Sequence, residues 1–161
     1  MTPLPWVPTQ YTLPTARSDW PELLANWAPL IPQGATPWLL SKFGELFVTQ
    51  PNGRVGMLQV SAFKYEVVAQ NETDFREWLA DPDKMSEWFL TPLVDQLESS
   101  GRVLGPDECF SFITPLGLQG ALSMDNVVPI SIRKHFRGWG EVFCKIKDLP
   151  GGAEVIIKPL D

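Results

Sequence analysis

The sequence predicts one α+β domain in which a mostly antiparallel sheet is packed by helices. Its 161 residues, 44% hydrophobic and 20% charged, suit a single domain with a real core. Short β-branched and aromatic runs separated by turn signals fill residues 44–69, and apolar residues recur at helical spacing over residues 71–97. The longest apolar runs are only a few residues, so no segment is predicted to cross a membrane.

Residues 1–37 are expected to form a proline-rich arm that wraps the domain predicted at residues 38–161. The arm contains half of the 16 prolines, and proline fixes φ and lacks a backbone donor, so no long regular element is predicted there. A capping side chain followed by proline at residues 18–21 predicts a short helix that ends before Pro29. Its inward residues are expected to be Leu23, Leu24 and Trp27. Four tryptophans are expected to anchor the arm: Trp6, Trp20, Trp27 and Trp38.

Three strands are predicted next, as an antiparallel meander with one buried face. The first two, residues 44–49 and 55–61, are joined by Pro51-Asn52-Gly53. An Asn-Gly pair is a strong hairpin signal because both residues tolerate positive φ. The third strand, residues 65–69, follows a brief break.

Helices are predicted in the middle of the chain. Asn71 is expected to cap the first, Asp81-Pro82 to start the second, and Thr91-Pro92 to begin a further turn that ends at Gly101. Helical spacing assigns the apolar side chains of the first two helices to the core, in preference to a cofactor site. These residues are Phe75, Trp78, Leu79, Met85, Trp88 and Phe89.

The C-terminal third is predicted to contain a strand near residues 110–113 and a last strand at residues 153–157. Cys109 heads the first apolar strand, and Cys144 alternates with Val142 and Ile146, which predicts a buried strand face. Both cysteines are therefore expected to be unpaired. Together with an N-terminus that lacks the pattern of a secretory signal, this predicts a cytoplasmic protein.

The residues that could carry catalysis or bind a metal are few. His135 is the only histidine, and neither a Cys-x-x-Cys nor a His-x-x-x-His spacing accompanies it. Neither serine nor cysteine lies in a nucleophile-elbow phrase, and the glycines lack the pattern of a phosphate-binding loop. We therefore expect no catalytic residue, no metal and no cofactor, and a structural or surface role for His135.

A short basic and aromatic segment, Arg133–Trp139, allows two interpretations. Its cations and aromatic rings could bind nucleic acid or phosphate. Alternatively, it is the polar side of a helix whose Ile132, Phe136 and Trp139 face inward. The second is favoured, because the segment is short and the chain carries 13 basic against 19 acidic residues, a net charge of −6. Nucleic acid is therefore not an expected partner.

Several phrases of the chain resemble the SUKH-type immunity proteins and the related immunity domain of type VI secretion systems, over roughly Trp38 to Ile157. Residues 43–46 (Phe-Gly-Glu-Leu) introduce the strands, and residues 74–79 (Asp-Phe-Arg-Glu-Trp-Leu) lie on a helix. A strand, a glycine-containing turn and Asp125-Asn126 follow in the same order. Gly120-Ala121 departs from the paired glycines that are common in these proteins, and the proline-rich arm has no counterpart in them.

The resemblance implies a non-catalytic protein that captures a cognate bacterial toxin stoichiometrically, occluding its active cleft; a basic nuclease is one toxin that would fit. The acidic surface of residues 71–87 is then the expected contact, with Asp81, Asp83 and Glu87 as partner-binding residues. A solvated helix face that only maintains solubility is the other interpretation of these carboxylates. Two alternatives to immunity remain: a small-ligand or peptide-binding regulatory domain on the same scaffold, and an enzyme with an unrecognised site.

Overall fold

The computed structural model describes residues 8–150 and residue 160. Five strands form an antiparallel sheet in which each pairs with the next along the chain. They are β1 (Thr12–Leu13), β2 (Thr36–Ser41), β3 (Leu46–Thr49), β4 (Val55–Gln59) and β5 (Lys64–Ala69). The other elements are α1 (Trp20–Leu23), α2 (Glu72–Leu79), α3 (Pro82–Phe89), α4 (Thr91–Ser99), the paired strands β6 (Glu108–Phe112) and β7 (Val127–Ser131), and α5 (Ile132–Ile146). The predicted α+β class is confirmed.

The N-terminal part of the described residues joins the sheet. In β1, Thr12 lies opposite Ser41 of β2, and the expected short helix is present as α1, followed by a 3₁₀ turn at Ala25–Trp27. Asp19 precedes the helix, but its carboxylate accepts hydrogen bonds from Arg17 and does not cap the helix. Strand β2 crosses the boundary predicted between residues 37 and 38, and the division into arm and domain stays a prediction.

The hairpin between β3 and β4 is confirmed, with a different turn geometry from the one expected. The carbonyl of Gln50 accepts from the amide of Gly53 at 2.8 Å, and the amide of Gln50 donates to Arg54 at 2.8 Å. Only Gly53 has a positive φ, of 85°, whereas the Asn52 side chain accepts from the Arg54 amide at 3.1 Å. This is a three-residue loop closed by a left-handed glycine.

The prediction of one buried sheet face is wrong, because both faces are covered. Adjacent residues of β3, Leu46 and Phe47, point to opposite faces and belong to different cores. On the Leu46 face the sheet packs against residues 20–27 through Trp20, Leu23 and Trp27. On the same face it packs against α5 through Ile132, Phe136, Trp139 and Phe143. On the Phe47 face it packs against α2 and α3 through Phe75, Trp88 and Phe89. The continuous apolar runs of β3 and β4 are the sequence signal of such double burial.

The helix starts were predicted correctly. The side chain of Asn71 accepts from the amide of Asp74 at 2.8 Å, and that of Asp81 accepts from the amide of Asp83 at 2.9 Å. Leu90, in the left-handed conformation with φ 51°, separates α3 from α4. None of the helices in the described residues is long and apolar enough to span a membrane.

Helix α5 is longer than its sequence pattern suggested. Ile132, Phe136 and Trp139 face inward as predicted, but the helix continues to Ile146 and includes Cys144. The strand predicted from the alternation around Cys144 is therefore wrong, because Phe143 continues the helical stripe one turn beyond Trp139. Cys109 and Cys144 are both unpaired, as expected. The strand predicted at residues 153–157 and Trp6 lie outside the described residues.

Candidate functional site

The outer side of α2 and α3 is the candidate contact surface, and we refer to it as the acidic surface. It is formed by the polar residues that these two helices and their caps turn away from the Phe47 face of the sheet. Six carboxylates and two cations belong to it: Glu72, Asp74, Glu77, Asp81, Asp83 and Glu87, with Arg76 and Lys84. Because all these side chains are at least partly exposed, the surface carries a negative potential toward solvent.

The three predicted contact residues belong to α3, with Asp81 at its cap, Asp83 in its first turn and Glu87 in its second, and all are exposed. Asp81 caps the helix through the amide of Asp83. Glu87 accepts from Nζ of Lys84 at 3.0 Å. The carboxylate of Asp83 has no hydrogen-bond or ion-pair partner among the described residues, and it shares a helix face with Glu87 four residues on. The structure therefore gives the three carboxylates different local roles: one caps, one pairs and one is open to a partner.

The prediction that Trp78 belongs to the core is wrong. Its side chain is 43% exposed. An eight-residue helix buries only a narrow stripe, which Phe75 and Leu79 already supply at a spacing of four residues. Trp78 lies at the edge of that stripe, and it adds an exposed aromatic ring to the acidic surface.

Lys84 connects the exposed ring with the core beneath it. Its Nζ lies 5.4 Å from the ring centre of Trp78 and 5.6 Å from that of Trp88. Trp88 is buried and stacks on Phe75 with ring centres 5.1 Å apart. The Lys84 ammonium therefore lies close to both the exposed ring of Trp78 and the buried ring of Trp88.

The only histidine takes part in a buried polar network. Nε1 of Trp139 donates to Oγ of Ser111 at 3.0 Å, which leaves the Ser111 hydroxyl to donate to Nδ1 of His135 at 3.0 Å. The Nε2–H group of His135 then donates to the Gly44 carbonyl at 3.0 Å. Burial lowers the pKa of His135 to about 4, and the bond to Gly44 only partly opposes this. The histidine is therefore neutral and structural, and the buried Ser111 is closed to a substrate.

Glu45 is a buried acid that the sequence analysis did not identify as unusual. Its Oε1 accepts from the Ser61 hydroxyl at 2.7 Å and from the Ser61 amide at 3.3 Å, while Oε2 has no partner among the described residues. Burial raises its pKa to about 7, although the bonds from Ser61 lower it. No group of three or more potential metal ligands occurs in the part of the chain that the structure describes.

The basic segment at the start of α5 adopts the favoured arrangement of a polar helix side. Arg133 and Arg137 both form ion pairs with Glu22 of α1, the second at 3.0 Å. Phe136 and Trp139 are buried, so neither ring is available to stack on a base.

The structure thus defines an α+β protein with a candidate contact surface formed by acidic helix residues and an exposed tryptophan. Residues 69–140 match the sequence model of a family described as T6SS immunity protein Tdi1, C-terminal, where T6SS is the type VI secretion system. The match covers somewhat less than half of the chain and contains α2, α3, α4, β6, β7 and the first part of α5. A search of curated proteins finds no match. The similarity supports the type VI part of the predicted resemblance, and the SUKH part stays a prediction.

Proposed function

We propose that this protein is an immunity protein that neutralises a cognate bacterial toxin by stoichiometric binding, without catalysis of its own. The observation that carries the proposal is the similarity of residues 69–140 to a type VI secretion immunity family. That region includes both helices of the acidic surface. A cytoplasmic location, a SUKH-type relationship and a basic nuclease as the toxin belong to the same proposal.

The proposed contact is the acidic surface, with Asp81, Asp83 and Glu87 facing the toxin. A negative surface on a chain of net charge −6 accelerates and orients encounter with a basic protein. Asp83 is the carboxylate most available to it, because Asp81 already caps α3 and Glu87 already pairs with Lys84. The partner would compete for Glu87 and would find Asp83 open.

The alternative function is binding of a small ligand or peptide. Such a ligand would occupy a groove between residues 13–19 and the loop before β6. This groove has a volume of about 630 Å³ and is lined by Arg17, Asp19 and Asp107, among others. Arg17 already pairs with both carboxylates, at 2.7 Å to Asp19 and 2.5 Å to Asp107. Because Arg17 is already paired within the protein, it is not free to bind a charged ligand in the groove. We therefore favour toxin binding at the acidic surface.

The test takes as candidate effector a product of the genes beside this one that is toxic when expressed in cells, and it measures binding to that effector together with protection of the cells. The variant D81N/D83N/E87Q removes the three charges, and asparagine at position 81 preserves the helix cap because it is an equally good capping residue. The control D125N/E141Q/D148N removes three exposed carboxylates outside the acidic surface.

We expect the wild-type protein to bind the effector in equimolar ratio and to protect cells. The first variant should associate several-fold more slowly at low salt, with a difference that shrinks as salt is added, and the control should match wild type. Equal association rates for the first variant and wild type would exclude this contact. Failure of the wild-type protein to bind or protect would exclude immunity toward that effector.

A further inference from the structure

The exposed ring of Trp78 lies in a setting that suits a binding contact. The ring is 43% exposed, and the ammonium of Lys84 lies within 6 Å of its centre and of the centre of the buried Trp88, which stacks on Phe75. An aromatic side chain that projects from a packed layer and is surrounded by polar residues has the features of an interface hot spot. Trp78 lies within residues 69–140, the region that matches the immunity family.

The position of Lys84 indicates which chemical group this place accepts. Its ammonium lies within 6 Å of two ring centres and also bonds to Glu87 at 3.0 Å. A cation therefore occupies the outer aromatic surface already, supplied by the chain itself. A guanidinium would fit the same place better, because it is planar, stacks on rings and binds carboxylates through two bonds.

The surrounding charges select a basic partner. Asp74 lies four residues before Trp78 on the same helix face, Glu77 adjoins it, and Asp81 follows after one turn. A second copy of this chain would bring like-charged surfaces together, and an anionic membrane would be repelled in the same way. A protein that presents arginine or lysine side chains is the occupant that the charges fit.

We infer that Trp78 is the central anchor of the toxin interface and that an arginine or lysine of the toxin stacks on its ring, displacing the ammonium of Lys84. This inference rests on the proposed function. The displaced Lys84 keeps its bond to Glu87 or moves into solvent, since its side chain is 29% exposed.

Four variants test the inference against the same neighbouring effector, with dissociation constants as the readout. Trp78→Ala should weaken binding by roughly tenfold or more, as expected of a hot spot. Trp78→Phe keeps a ring and should lose only a few-fold. Leu149→Ala is the matched control, because Leu149 is 46% exposed and lies after α5. Lys84→Gln removes the internal competitor and should bind at least as tightly as wild type.

Thermal melts should be close to wild type for all four variants, since the two truncated side chains and Lys84 lie outside the cores. If Trp78→Ala binds like the Leu149→Ala control, Trp78 is not an anchor. If Lys84→Gln weakens binding as much as Trp78→Ala does, displacement of Lys84 is wrong. Either result with a wild-type protein that binds and protects leaves the proposed function in place. A wild-type protein that does not bind overturns both.

Discussion

Nε2 of His135 lies 3.0 Å from the carbonyl oxygen of Gly44, where α5 packs onto the turn between β2 and β3. Gly44 has a φ of 71°, in the region that disfavours residues with a Cβ. A Cβ at this position would also overlap with Nε2 and Cδ2 of the His135 ring. Position 44 therefore requires glycine for two independent reasons, backbone conformation and space.

Substitution Gly44→Ala should lower the free energy of unfolding by roughly 2–4 kcal/mol, because the positive φ and the displaced His135 ring each add a penalty. Urea denaturation measures this loss. The matched control is Gly53→Ala, since Gly53 also has a positive φ, of 85°, but nothing lies within 4 Å of its Cβ position. The control should lose only about 1 kcal/mol. Equal losses for the two variants would mean that the His135 ring moves aside without cost.

The imidazole of His135 should remain neutral at pH values well below the usual pKa of histidine. Burial lowers its pKa from 6.5 to about 4, so the unfolded chain binds this proton at a higher pH than the folded chain does. The corresponding stability, roughly 3 kcal/mol, is fully present above pH 6.5 and is lost as the pH falls toward 4. Proton NMR can follow the only histidine directly, and its ring resonances should stay constant from about pH 8 to about pH 5.5. Titration near pH 6.5 in the folded protein would contradict a buried, neutral ring.

Glu45 should produce the opposite pH dependence. Burial raises its pKa from 4.5 to about 7, so the folded chain retains this proton where the unfolded chain has lost it. Its contribution to stability is fully present below pH 4.5 and disappears as the pH rises through 7. The stability of Glu45→Gln relative to wild type should therefore increase by roughly 3 kcal/mol between these pH values and stay level above them. A difference that does not vary with pH would show that Glu45 has the same pKa in the folded and unfolded chains.

Features set by neighbouring residues in the chain were predicted well. The position of the loop at residues 51–53 and the caps Asn71 and Asp81 are set by a few adjacent residues, although in the loop only Gly53, and not Asn52, has the expected positive φ. The inward face of α5 was also predictable, since Ile132, Phe136 and Trp139 recur at helical spacing.

Features that depend on what a segment packs against could not be predicted in the same way. Phe47 and Leu46 are both buried only because helices cover both sheet faces, and a strand pattern does not say how many layers surround it. Trp78 had the right spacing for the core, but Phe75 and Leu79 already supply the stripe that this short helix packs against the core. The burial of Glu45 depends on Ser61, 16 residues later in the sequence.

The two cysteines should both be free thiols with different accessibility. Cys109 is fully buried in β6, and burial, followed by the charge of Glu45, raises the pKa of its thiol. Cys144 is only partly buried, with Sγ donating to the Asn26 carbonyl at 3.4 Å. Thiolate is the reactive form, so Cys109 should resist a thiol reagent until the protein unfolds.

Thiol counting without reductant checks this prediction. In denaturant, two thiols per chain should react. In the native state, the variant Cys144→Ser should show almost no reaction, whereas Cys109→Ser should still react slowly through Cys144. Rapid native labelling of Cys144→Ser would show that β6 opens readily. No reactive thiol in denaturant would reveal a disulfide, and it would overturn the cytoplasmic location that forms part of the proposed function.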